Sequence, residues 1–128
     1  MPGLSDELIR FVTRPPKLTR RNGAPDVMQC EFFFAPDFAG FHGHFPDNPL
    51  LPGIVQIMLA RYTAAQGRSA LLSRVKRCKF SHPIGPGQTV LVQVRAGRAE
   101  KEYQAAISSN DIACATLTFE LEHSEVWQ

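Results

Sequence analysis

The stretch "GIVQIMLARYTAAQG", residues 53–67, limits this chain more than any other. It is largely apolar, contains no Asp or Glu, and meets its first charge only at Arg61. Pro52 suits the first turn of a helix and Gly67 suits a C-terminal cap, so the pattern predicts one helix. Ile54, Ile57, Met58 and Leu59 place apolar groups around most of its circumference, which predicts burial on most sides. The run falls short of the ~20 apolar residues that a membrane span needs. The rest of the chain must therefore cover it.

The flanking segments are suited to that task. "DVMQCEFFF" (26–34) is rich in β-formers and reads as a strand. Four more candidates follow the helix: 73–82, 88–97, 101–109 and 112–122. Alternation is clear where Thr89, Leu91, Gln93 and Arg95 interleave with Val90, Val92 and Val94. "GPGQ" and "SND" read as turns. Residues 35–52 form a loop marked by Pro36, Gly40, Gly43, Pro46, Pro49 and Pro52. Residues 5–14 read either as a short helical turn or as a first strand, ended by Pro15 and Pro16. The expected architecture is α+β, an antiparallel sheet wrapped around one central helix. Residues 1–128 fit one domain, with the structure of the N-terminal segment 1–25 left open. A small curved sheet exposes an edge strand, and pairing edge to edge in a homodimer would hide it.

Charge and cysteine usage exclude several classes. A net charge of +2 with no long basic tract argues against nucleic acid. "RPPKLTRR" (14–21) reads as a solvated loop, the alternative being a docking patch for an acidic partner. "MPGLSDELIRF" does not read as a signal peptide. The three cysteines, Cys30, Cys78 and Cys114, are odd in number and widely spaced, which fits reduced thiols and a cytoplasmic setting. No close Cys pair suggests zinc, and the His42-x-His44 pair has no third ligand at a suggestive spacing. No metal or other cofactor is expected.

Two motifs carry a resemblance. "GHFPDNPLLPG" (43–53) resembles the active-site loop of the 3-hydroxyacyl-(acyl-carrier-protein) dehydratases, a hot-dog fold family, through Gly43, His44, Phe45, Pro46, Pro49, Pro52 and Gly53. "VKRCKFSHPIGPGQ" (75–88) is similar to the family's following strand and turn at Lys76, Phe80, Pro83, Pro86 and Gly87. The resemblance covers roughly residues 26–122. It implies a homodimer, or a higher oligomer, with sites at the subunit interface. It also implies an acyl chain carried on acyl-carrier protein or CoA, and an apolar tunnel beside the helix.

The implied reaction converts a 3-hydroxyacyl thioester to the trans-2-enoyl thioester in fatty acid or related acyl-chain synthesis. It needs a base at C2, a donor to the thioester oxygen and an acid for the departing hydroxyl. Histidine suits the first role, and His44 is the position the family uses. The Gly53 amide, at a helix N-terminus, suits the second. Phe45, Pro52, Ile54, Gln56, Met58 and Tyr62 are the expected substrate-binding residues.

The third role departs from the family, whose glutamate position is occupied here by Met58 and whose next glutamine by Tyr62. A thioether does no useful proton transfer. Candidate stand-ins are Gln56, which could position a water or the substrate hydroxyl, Tyr62 as a hydrogen-bond donor, Asp47 in the loop, and His44 acting twice. The helix without its glutamate is also similar to divergent dehydratase-like proteins of aryl-polyene pathways. Two other functions fit the same fold: an acyl thioesterase using Asp47 or Asp37, and a non-catalytic acyl-thioester-binding protein. His82, beside Pro83, reads as a surface residue at a strand end.

Overall fold

The computed structural model describes residues 8–21, 23–38, 50–68 and 70–122. Period-two burial organises its centre. In β2 (Ala24–Phe34), Met28, Cys30, Phe32 and Phe34 are buried; in β4 (Gln88–Ala96), so are Val90, Val92 and Val94. The two strands pair antiparallel with Cys30 opposite Val92 and Phe32 opposite Val90, so the buried sets share one face.

β5 (Glu102–Ser109) and β6 (Ile112–Glu122) form a hairpin closed by Asn110 and Asp111, at φ 53° and 62°. Two consecutive left-handed residues are what a two-residue hairpin of matching twist requires, and Asn and Asp tolerate them. β3 (Leu71–Phe80) pairs with β6, and β1 (Val12–Arg21) with β2. The sheet is six-stranded in the order β1-β2-β4-β5-β6-β3, with every neighbour antiparallel.

The α-helix α1 (Gly53–Ala64) lies on the inner face of the sheet against β2, β4, β5 and β6. Val55, Leu59, Ala60 and Thr63 are buried there. This is the hot-dog arrangement, a sheet wrapped around one helix. A 3₁₀ turn (Ile9–Phe11) precedes β1, and Phe11 stacks on Phe34 and meets Phe38 edge-on, closing the core near one end of β2.

Two expectations are corrected. Pro15 and Pro16 do not end the first element; β1 runs through them to Arg21. The register shifts between Arg14 and Lys17, so the prolines occupy an irregularity of an edge strand, where a missing amide is tolerated. Burial of α1 is also one-sided. Ile54 is 62% exposed and Ile57 and Met58 are only half-buried, because the sheet covers one flank of the helix and the other described elements leave this flank open.

Candidate active site at the start of the helix

Pro52 fixes the geometry of the site. At φ −60° and ψ 148° it is extended, and its carbonyl accepts hydrogen bonds from Val55 N–H (3.1 Å) and Gln56 N–H (3.2 Å). Gly53 N–H and Ile54 N–H donate to nothing among the described residues. The positive end of the helix dipole thus presents open donors. Leu51 is held from the other side, its N–H donating to the Ile84 carbonyl at 2.8 Å.

A cavity of about 500 Å³ adjoins this end. Leu50, Leu51, Phe80 and Pro83 supply apolar walls, and Pro52, Gly53 and Gln56 supply the helix start. The Phe80 ring lies on Gly53: a Cβ added there would stand 2.8 Å from Phe80 Cζ. Glycine is therefore what lets the ring and the helix N-terminus approach.

The polar inventory of the cavity is short. Ser81 Oγ is engaged with the carbonyls of Ala113 and Cys114. Gln56 is buried, and its Nε2 donates to the Leu51 carbonyl at 3.2 Å. Its Oε1 accepts from nothing among the described residues. His82 is exposed and lines the cavity, the one titratable side chain among the described lining residues. Sequence reading placed it at a strand end, as found; its place beside the helix start depends on the end of β3 folding back over Gly53.

The remaining expected site residues are distributed as follows. His44 and Phe45 lie outside the described residues, as do His42 and Asp47. Ile54 is exposed, and Met58 packs at the rim of the core; neither lines the cavity. Tyr62 is buried edge-on against Phe32, with its hydroxyl against Gly67, about 13.5 Å along the helix axis from Gly53. Burial raises its pKa above the ordinary phenol value, weakening it as an acid. Burial likewise pushes the Cys30 thiol up to about 12, so it stays protonated and unreactive within the core. No helix among the described residues is long and apolar enough to cross a membrane.

Comparison with known proteins adds the family. A family model described as ApeI-like, ApeI dehydratase, matches residues 20–118. The 3-hydroxyacyl-[acyl-carrier-protein] dehydratase FabZ of Thermus thermophilus is 33% identical over 64% of this chain and 68% of its own length. FabZ of Latilactobacillus sakei is 31% identical over 66% and 70%. FabZ of Gluconobacter oxydans is matched over 55% of its own length, at 27% identity.

Among solved structures, the dehydratase heterocomplex ApeI:P from Xenorhabdus doucetiae superposes with a TM-score of 0.65 at 23% identity, covering 83% of this chain and 96% of that one. The fluoroacetyl-CoA-specific thioesterase FlK superposes at 0.63 with 12% identity, covering 80% and 88%. Both likenesses concern the fold. The family match across most of the sequence and the FabZ identities concern ancestry, and they place this chain in the ApeI-like dehydratase family of FabZ-like hot-dog proteins.

Proposed function

We propose that the protein dehydrates a 3-hydroxyacyl thioester, on acyl-carrier protein or CoA, to the trans-2-enoyl thioester. The observation that carries this reading is the helix start: an open Gly53 N–H at the wall of a mainly apolar cavity, in a chain of a dehydratase family. Such a donor suits a thioester oxygen that gains negative charge as the C2 proton leaves. His44 takes that proton and returns it to the departing hydroxyl. The C3–O bond breaks, the C2–C3 double bond forms and water is released. The assignment of His44 rests on its place in the loop motif.

The site is proposed to be completed in a dimer. β3 is a sheet edge carrying exposed Leu71, Val75 and Phe80, and pairing it with a second β3 would cover them. A cytoplasmic setting is proposed from the three free thiols. A thioesterase would need a carboxylate to attack or to activate water, and none lines the cavity among the described residues.

Met58 favours a second reading, in which the acid comes from a chain of different sequence. The solved ApeI:P relative is itself a heterocomplex. The test is enoyl formation from a 3-hydroxyacyl-carrier-protein substrate. His44→Ala is expected to lower kcat by about 10² to 10⁴, the range of general acid–base catalysis. Undiminished turnover in that variant would remove His44 from the mechanism.

A further inference from the structure

Among the described residues, the cavity contains one buried side-chain polar atom without a hydrogen-bond partner. Gln56 is only 4% exposed, lines the cavity, and has an Oε1 that accepts no hydrogen bond among the described residues. Its orientation is fixed from both sides. Nε2 donates to the Leu51 carbonyl, and Leu51 N–H is tied to Ile84. Turning the amide over would set carbonyl against carbonyl, so the acceptor end stays free. Buried acceptors are rarely left without a donor. Among the described lining residues only Ser81 and His82 carry other side-chain donors; Ser81 Oγ is spent on the Ala113 and Cys114 carbonyls, and neither bonds to Oε1. A molecule that fills the cavity is thus the place to look for the donor.

Position along the helix narrows the choice. Gln56 is one turn after Gly53, a rise of about 4.5 Å. A thioester whose oxygen rests on the Gly53 N–H carries its 3-hydroxyl two carbon atoms further on, a separation of the same order. We infer that Gln56 is the specificity-determining residue of this site: its Oε1 accepts the O–H of the substrate's 3-hydroxyl and so selects 3-hydroxyacyl thioesters over acyl thioesters lacking that donor. This inference rests on the dehydratase reading for the placement of the thioester. With its hydrogen directed at Oε1, the hydroxyl oxygen turns its lone pairs away from Gln56, ready for the proton that makes it water. Gln56 moves no proton itself.

Competition binding of 3-hydroxybutyryl-, butyryl- and 3-oxobutyryl-pantetheine tests this, in a His44→Ala background so that no ligand is consumed. The 3-oxo compound keeps the oxygen but has lost the donor. The 3-hydroxy compound is expected to bind about tenfold tighter than either analogue, the worth of roughly one hydrogen bond. Gln56→Met is expected to bring the three affinities within twofold. Equal affinities in the parent protein would overturn the inference, showing that Oε1 takes a water or an amide N–H of the pantetheine arm. A preference that survives in a folded Gln56→Met variant would overturn it too. If that variant does not fold, the 3-oxo comparison decides alone. The two proposals fail separately: selective binding with no enoyl formation from the His44 protein would remove the dehydratase reading, whereas turnover without selectivity would remove the role of Gln56.

Discussion

The two ends of α1 differ in how they satisfy their backbone. At the C-terminal end, Ala65 N–H donates to the Arg61 carbonyl, Gln66 to Thr63, and Gly67, at φ +77°, to Tyr62. Arg61 Nη1 reaches the Ala70 carbonyl at 2.8 Å, and Thr63 Oγ1 donates to Leu59. At the N-terminal end, Gly53 and Ile54 N–H groups have no partner among the described residues, and the buried Gln56 Oε1 lies beside them. One helix thus carries a closed end that anchors it and an open end that can hold a ligand. An end left open by the described residues beside a cavity is where function is to be sought.

The largest test of this contrast is Gly53→Ala. The new methyl displaces the half-exposed Phe80 ring, which can swing outward, so the fold is expected to survive while the cavity wall moves. A fall in kcat/KM of about 10²-fold is expected, the effect of an ångström-scale misplacement. Unchanged kinetics would show that the open end is not the site. Met58→Glu restores a carboxylate midway along the helix and is expected to raise turnover of the protein alone by about tenfold or more. No gain would mean that the acid is already supplied.

Gly67→Ala probes the closed end. Its left-handed conformation and the Tyr62 hydroxyl 3.2 Å from the added Cβ predict a stability loss of about 1–2 kcal/mol with kcat/KM unchanged. Denaturant titration and steady-state kinetics check the two halves of that statement.

The smallest effect lies away from both ends. The hydrogen bond from Lys76 Nζ (2.6 Å) lowers the Glu102 pKa below the ordinary carboxylate value, and Arg98 N–H adds to it. A lowered folded-state value means that this contribution is full above the unfolded pKa and is lost as pH falls through the folded one. Urea midpoints between pH 5 and 3 are expected to fall less steeply in Lys76→Met than in the parent. Parallel slopes would remove the pair from the acid response.

What the sequence revealed follows the same division. β4, β5, β6 and the hairpin turn were legible because alternation and turn chemistry are local. α1 was legible from its apolar run and its Pro and Gly ends. β1 was hidden by Pro15 and Pro16, since two prolines ordinarily end an element and only an irregular edge strand absorbs them. The exposure of Ile54 could not be read either, because it depends on which flank the curved sheet leaves uncovered. In the site, the Pro52–Gly53 start was visible as a motif. The unpaired Oε1 of Gln56 was not, since it follows from Nε2 turning back to Leu51. Nor was the place of His82, brought to the helix start by a strand on the far side of α1 in sequence.

The prolines of β1 have one further consequence. Successive residues of a strand aim their amides in opposite directions, so a Pro-Pro pair removes one donor from each side. The inward gap is taken up by the register shift opposite β2. The outward one interrupts the free margin of the sheet, the rail on which another strand would have to lie. β3, the opposite margin, has no proline. A sheet open at both margins could recruit copies without end, like bricks in a course. If the proposed pairing through β3 holds, this sheet has a coupling at one side and a buffer at the other, and a second copy completes the row.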